Sequence, residues 1–437
     1  MRRIVSVFIA SLCGATAVVA QDIPSSLSLA DALRLAAERN PSFAAARNEI
    51  EVAQADRVTA ARLPNPAFTF ESEGQSVFRS PASDGHEYVF RIDQDIDLPG
   101  RRRLRTQSAD RSIDISKALY QDQWRRVELD VRRAYFQVVL AKADRDLSTA
   151  ALDEIDRVIT LNRARFDQGE ISGGDLRRLQ VERLRFQDDV LAAELALRNA
   201  RATILTLLNS PDLSQPIDAV DSLAVSAPDF QSVLALAGAA TPSGPTPVTS
   251  FQQAGLALVG QALAVRPDMQ AARIAQQRAD TETRLQRALR SPLPTIGAGY
   301  KDNAGNSRLV FGVTLSLPLF NQNQGGVARA EAEQRMAANR VRAAQRQVAL
   351  EVQQALNTVE ISRERVRYIE REYLKNAREA LDIVLASYRL GAANLIDLLD
   401  AQRAFRDTSK TYNRALYEQR ISLTELGAAI GASTGVR

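Results

Sequence analysis

"RLVFGVTLSLPL", residues 308–319, puts Leu309, Phe311, Val313, Leu315, Leu317 and Leu319 on one side of an extended chain, opposite Arg308, Val310, Gly312, Thr314, Ser316 and Pro318. Successive strand side chains point to opposite faces, so this alternation predicts a strand with one apolar face. "YVFRIDQDIDL", residues 88–98, repeats the pattern, with Tyr88, Phe90, Ile92, Ile96 and Leu98 set against Arg91, Asp93, Asp95 and Asp97. Both runs reach the roughly nine to eleven residues that a strand needs to cross hydrocarbon. Weaker partners lie upstream, "AFTFESEG" from Ala67 and "TIGAGYKD" from Thr295, and the first loop holds the sole histidine, His86. Two β-hairpins are expected, at about 67–98 and 295–319.

Around the hairpins the chain is helical and duplicated. "VELDVRRAYFQVVLAK" from Val127 aligns with "VALEVQQALNTVEISR" from Val348 at an offset of 221, and "AAERNPSF" resembles "LAVRPDMQ". The turns "RFDQGEISGGDLRRLQ" (165–180) and "SYRLGAANLIDLLDAQ" (387–402) place Phe166, Gly169, Asp175 and Leu176 at an offset of 222 from Tyr388, Gly391, Asp397 and Leu398. A duplicated chain of this kind must be read as two copies of one unit. The first repeat is assigned to 21–209, with a long helix 101–166, a tip turn 167–172 and a return helix. The second is assigned to 251–430, with a long helix 323–389, a tip turn 390–394 and a return helix. A Pro- and Ser-rich linker, 210–250, joins them, and 431–437 form a tail.

The long helices lack proline and are crowded with Ala, Arg, Gln and Leu. Such good helix formers give rods of about 100 Å at 1.5 Å per residue. An opening helix (about 30–62 or 254–290) stacked on a return helix (about 173–208 or 394–430) matches one rod in length. On helix pattern alone a periplasmic coiled-coil scaffold fits equally well. The strands argue otherwise: a soluble half-exposed sheet alternates too, but no globular segment here is large enough to cover the apolar faces. Four strands cannot close a barrel, and an open edge is not tolerated in lipid. Copies must therefore pool their strands. Two copies give eight, whose interior side chains fill, whereas three give twelve and leave a passage. The sequence does not choose between three and four.

Residues 1–20 read as a cleavable secretory signal: Arg2 and Arg3, then an apolar run too short to span a bilayer, then Val18 and Ala20 before Gln21. Cleavage would remove Cys13, the only cysteine, and leave no disulfide or thiolate. It would also lower the basic count from 56 to 54 against 52 acidic residues, a balance that gives no reason to expect nucleic acid. Arg101, Arg102, Arg103 and Arg105 follow "DLPG" and read either as a phosphate or lipopolysaccharide contact at the barrel rim or as a solvated first helical turn.

The repeat, the paired turns "FDQGEISGGDL" and "YRLGAANLIDLLDAQ", and the strand endings "DLPGRRR" and "LPLFNQNQGG" resemble the TolC family of outer-membrane factors over the whole mature chain. "QDIDLPGRRRLR" resembles most the heavy-metal efflux branch that includes CzcC and CusC. The resemblance implies a mainly α fold with a small β part: long antiparallel helical hairpins forming an α-barrel, plus four transmembrane β-strands per chain that close as a twelve-stranded β-barrel in a trimer. It implies a passive, gated exit duct in the bacterial outer membrane, reaching into the periplasm. The implied partners are outer-membrane lipid, a periplasmic adaptor (membrane fusion protein) and an inner-membrane transporter of the resistance-nodulation-division (RND) type, with heavy-metal cations as cargo. A duct for type I protein secretion is the alternative within the family.

The resemblance also sets the expected site. Asp397 and Asp400 match acidic positions that ring the family's constriction, where three-fold symmetry would gather six carboxylates, favour cations and raise some of their pKa values. Tyr388 matches a gate-side tyrosine, and Gly169, Asp175, Gly391 and Leu398 belong to the tip turns expected to meet the adaptor. Spacing gives a second role: Ser172 with Asp175, and Asn394 with Asp397, fit the N-cap and N3 positions of a restarted helix. Arg178 stands in the first copy where Asp400 stands in the second. Ala393 occupies a place where some relatives put an arginine that ties the gate, and Arg389 is near. No enzyme is expected, since no acid–base, nucleophilic or nucleotide-binding constellation is present. No cofactor and no metal site is expected either, because His86, Met269 and Met336 are far apart in the sequence.

Overall fold

The structure, a computed structural model, describes residues 23–73, 87–97, 100–225, 248–303 and 305–432. The expected signal, the loop with His86, Leu98, residues 226–247 of the linker and the last five residues lie outside the described residues. A short strand β1 (Ser26–Leu27) leads into α1 (Leu29–Arg39) and α2 (Pro41–Ala61), then β2 (Ala67–Glu73) and β3 (Glu87–Asp95). The long helix α3 (Arg101–Asp167) turns into α4 (Gly173–Leu207), and β4 (Asp218–Ala219) lies in the linker. The second copy runs α5 (Val248–Val265), α6 (Pro267–Ala288), β5 (Pro294–Asn303), β6 (Asn306–Leu315), α7 (Gln324–Tyr368), a π-turn (Ile369–Leu374), α8 (Lys375–Arg389) and α9 (Leu395–Ala429).

The four main strands form one antiparallel sheet in the order β2-β3-β5-β6. Register decides its chemistry. Phe68 pairs with Ile92 and Phe70 with Phe90, Phe90 pairs with Tyr300, and Tyr300 pairs with Leu309; Ile92 pairs with Ala298, which pairs with Phe311. These apolar residues therefore share one face, and the face is bare: Phe311 is 77% exposed. Arg91, Asp93, Glu71 and Lys301 share the other face, where Arg91 holds Asp93 at 2.7 Å and Lys301 pairs with Glu87. The alternation outruns the sheet: Leu317 and Leu319 continue the pattern beyond the end of β6, where Pro318 has no N–H to extend the ladder.

The rods are assembled as helix pairs. Along α3, α2 covers the end near the sheet and α4 the end near the tip; along α7, α6 and α9 do the same. The opening helix of each copy, expected as one piece, is broken at Asn40–Pro41 and at Arg266–Pro267, because proline removes the N–H and clashes with the preceding turn. Each break clasps the end of its own return helix. Asn40 Nδ2 donates to the Leu207 carbonyl at 2.9 Å, and Arg266 Nη1 donates to the Ala429 carbonyl at 3.1 Å; the two carbonyls lie 222 residues apart. Arg266 is fully buried and also grips Asp268 and Glu351, each at 2.7 Å. In the first copy β1 pairs with β4 in parallel, and the Tyr135 hydroxyl donates to Asp221 Oδ2 at 2.5 Å and lies 2.9 Å from the Leu27 carbonyl.

The second rod, expected as a single α-helix over 323–389, contains the six-residue π-turn. The repeat explains it. Val127, Val131, Ala134 and Val138 are buried, as are Val348, Val352, Ala355 and Val359 at the offset of 221, yet the turns follow an offset of 222. The second copy thus holds one extra residue between Val359 and Tyr388. A π-bulge absorbs such an insertion without breaking the helix.

The basic cluster after β3 divides in two. Arg101 is buried and donates to the Ala288 and Ser291 carbonyls at the end of α6, and Arg105 holds Asp97 at 2.6 Å. Arg102 and Arg103 are exposed.

Candidate functional site at the tip turns

Both rods end in the same way. Gly169 and Gly391 adopt φ of +78° and +77°, the left-handed region that a Cβ disfavours. The Glu170 N–H reaches back to the Arg165 carbonyl and the Gly169 N–H to that of Phe166; Ala392 and Gly391 make the equivalent bonds to Ser387 and Tyr388. This pattern satisfies carbonyls left open at a helix end. The return helices then restart on side-chain caps. Ser172 Oγ accepts the Asp175 N–H at 3.2 Å and donates to its carboxylate at 2.8 Å, whereas Asn394 Oδ1 accepts the Asp397 N–H at 2.9 Å.

Asp175 is thus engaged in a cap. Asp397 and Asp400 are both exposed on the first turns of α9, three residues apart. Asp400 is not free of partners: Arg403 approaches it at 3.3 Å while also holding the buried Glu182 of α4 at 2.6 Å. Sequence reasoning missed this arginine, although its spacing of three from Asp400 was visible.

Tyr388 points inward. Its hydroxyl donates to Asn162 Oδ1 of α3 at 2.5 Å, Asn162 Nδ2 donates to the Val158 carbonyl, and the Arg165 guanidinium lies 5.5 Å from the ring centre. Arg165 also donates to the Arg389 carbonyl at 3.0 Å, so α3 holds the end of α8 by two routes. Nothing near Asn162 in the sequence announced the bond, since its partner lies 226 residues away. Leu398, expected as a tip contact, is fully buried among Ile155, Val158, Leu179, Tyr388, Leu395 and Leu399. It holds the two turns together from inside and offers no surface to a partner. Above this cluster a cavity of about 420 Å³ lies between Phe186, Leu381, Leu385 and Phe405, and Gln402 Oε1 lies buried beside it without a partner.

Among the described residues no group of three or more His, Cys, Asp or Glu is placed to hold a metal ion, and no helix is long and apolar enough to cross a membrane. What the architecture offers is a bare apolar sheet at one end and, at the other, two capped turns of which the second carries the exposed Asp397 and Asp400.

Comparison with known proteins decides the family. The family model described as "Outer membrane efflux protein" matches residues 32–210 and 258–432, one stretch in each copy and most of the chain together. The chain belongs to the outer membrane efflux protein family. An efflux protein of this family is an outer-membrane channel component rather than an enzyme. The chain is similar to the cobalt-zinc-cadmium resistance protein CzcC of Cupriavidus metallidurans, 23% identical over 93% of this chain and 90% of that protein. Its fold is that of the solved CusC channel, with a TM-score of 0.75 at 18% identity over 93% of this chain and 92% of that one. The Campylobacter jejuni CmeC outer membrane channel matches at 0.76 and 15%, covering 92% and 85%.

Proposed function

We propose that three copies of this efflux protein join their sheets into a twelve-stranded barrel and their rods into a tunnel, making a passive exit duct for a tripartite efflux system. The observation that carries this reading is the open sheet: β2 and β6 are unpaired edges, and its whole apolar face is uncovered. Lipid covers the face and a neighbour's strand completes each edge. The partners are a periplasmic adaptor and an inner-membrane RND transporter, which supplies the energy. Likeness to CzcC supports heavy-metal cations as cargo.

At the periplasmic tip, Asp397 and Asp400 of three copies face a common axis and select cations, while the Tyr388–Asn162 bond latches α8 against α3. Gly169, Asp175 and Gly391 shape the surface the adaptor meets. The test is a heat-sensitive trimer in outer-membrane fractions, followed by single-channel recording of that species. Replacing Asp397 and Asp400 with alanine is expected to lower cation preference and divalent-cation block. A water-soluble monomer would overturn the duct; unchanged currents in the variant would leave the two aspartates as helix-end residues only.

A further inference from the structure

The cavity above the tip cluster lies within one chain, between the helix pair α3 and α4 and the pair α8 and α9. It measures about 420 Å³, and its walls include Leu147 and Ala151 of α3, Phe186 of α4, Leu381 and Leu385 of α8, and Phe405 of α9. Small-molecule sites span roughly 300–1,000 Å³ and are likewise apolar with a few placed polar groups. Here that group is Gln402. It lines the cavity at only 7% exposure, its Oε1 has no hydrogen-bond partner, and no described residue accepts from its Nε2. Buried amides are bonded in the large majority of cases, so an unpaired one asks for a partner from outside.

The surrounding charges decide which kind of partner fits. Arg157 holds Glu154 at 2.9 Å, Arg378 holds Asp382 at 3.3 Å, and Arg406 holds Asp189 at 2.7 Å. Arg378 and Arg406 also lie over the rings of Phe405 and Phe186, 5.2 and 5.0 Å from their centres. The remaining charged wall residues, Asp153 and Arg389, add one charge of each sign. The site thus has no surplus charge to offer, and an ion entering it would lose hydration without gaining a counter-charge. A water molecule would bond the amide, but its share of volume is about 30 Å³ and it would leave the apolar walls unfilled.

We propose that this cleft binds a small neutral amide with an apolar body. The ligand's N–H donates to Gln402 Oε1, its carbonyl accepts from Gln402 Nε2, and its body covers the leucine and phenylalanine side chains. Two amides paired in this way satisfy each other's donor and acceptor. Apolar area withdrawn from water supplies the remaining attraction. The cleft also adjoins the Tyr388 bond. Leu385 and Arg389 flank Tyr388 on α8, and Arg157 stands five residues before Asn162 on α3, so an occupant sits between the two helices that the Tyr388–Asn162 bond ties together. A ligand that fits this spacing better than a wider one shifts the pair toward the tied state. That consequence, unlike the binding, rests on the gate proposed above.

The experiment uses 4-fluorobenzamide as the probe and the full-length protein in detergent, with binding read by fluorine NMR against micelles that lack protein. Saturable binding is expected for the wild type. Gln402→Met, close in shape but unable to pair with an amide, is expected to bind about tenfold more weakly, the loss of one buried hydrogen bond. Fluorobenzene, the same ring without the amide, is expected to bind both proteins alike. Ala151→Trp fills the cleft and is expected to abolish binding of both probes; it leaves Gln402 in place and so tests the cavity even where Gln402→Met folds poorly. No saturable binding beyond that of the micelles, or equal binding of the amide by wild type and Gln402→Met, overturns the site and leaves the duct untouched. Saturating probe is expected to lower the basal conductance of wild-type channels, and binding without that effect overturns the link to the gate alone. Failure to form channels overturns the duct, with binding still read independently.

Discussion

Gly391 and Tyr388 show how single residues fix the tip. Around Gly391 an added Cβ would meet nothing within 4 Å, so Gly391→Ala costs backbone strain alone, about 1–2 kcal/mol for a left-handed non-glycine residue. The expected result is a lower melting temperature in detergent, with Gly391→Asn lying between the two. Tyr388→Phe keeps the ring but strands the Asn162 carbonyl oxygen in a buried site, a loss of about 1–3 kcal/mol. In the gate proposed above that loss falls on the latch, so the variant is expected to raise basal conductance in single-channel recordings; wild-type conductance would remove Tyr388 from the proposed gate. The glycine turns and both caps were legible in the sequence because their geometry is local. The bonds of Tyr388 to Asn162 and of Arg403 to Glu182 were not, because each joins residues more than 200 positions apart.

At the scale of elements, the clasp on α9 is the joint most exposed to mutation. Arg266 is itself buried and bonds two half-exposed carboxylates and a helix-end carbonyl, so Arg266→Ala strands that carbonyl and removes its charged donor, a loss of about 1–3 kcal/mol for the stranded group. The same clasp sets an acid limb. Burial alone would raise the Asp268 carboxyl, but the hydrogen bonds and charge of Arg266 outweigh it and hold the group below its ordinary 3.8. The folded state therefore binds its proton less readily than the unfolded chain. The stabilisation is complete above about pH 4 and is lost as pH falls through the lower folded value. Melting curves between pH 3 and 6 are expected to be flatter in Arg266→Ala. Element types were readable from periodicity, whereas the prolyl breaks and the π-turn were not. Proline at 41 and 267 is equally at home at the start of a helix. The extra residue was visible as two unequal offsets, but only the structure shows where the helix absorbs it.

For the whole molecule, the decisive property is the bare face shared by four strands. Phe311→Arg places a charge where the barrel meets hydrocarbon, costing about 2–4 kcal/mol per copy near the bilayer midplane. The expected outcome is loss of trimer from outer-membrane fractions, with the protein recovered in the soluble or aggregated fraction. Thr314→Arg, on the opposite face of the same strand, is expected to be tolerated. If both variants assemble equally, the sheet does not face lipid. The alternation that foretold this face survived because strand side chains obey a period of two whatever lies beside them. The number of copies could not be read the same way, since it depends on surfaces that meet only after folding.

The two unfinished borders of the sheet matter before any duct exists. Each newly exported subunit carries rows of open amides and carbonyls at β2 and β6 beside a greasy flank, and such a border recruits whichever strand arrives first. For the proposed trimer, maturation is thus a race between meeting two siblings and clumping with strangers. Overproduction without matching insertion capacity favours the clump, and an escort that masks those borders during transit would favour the ring.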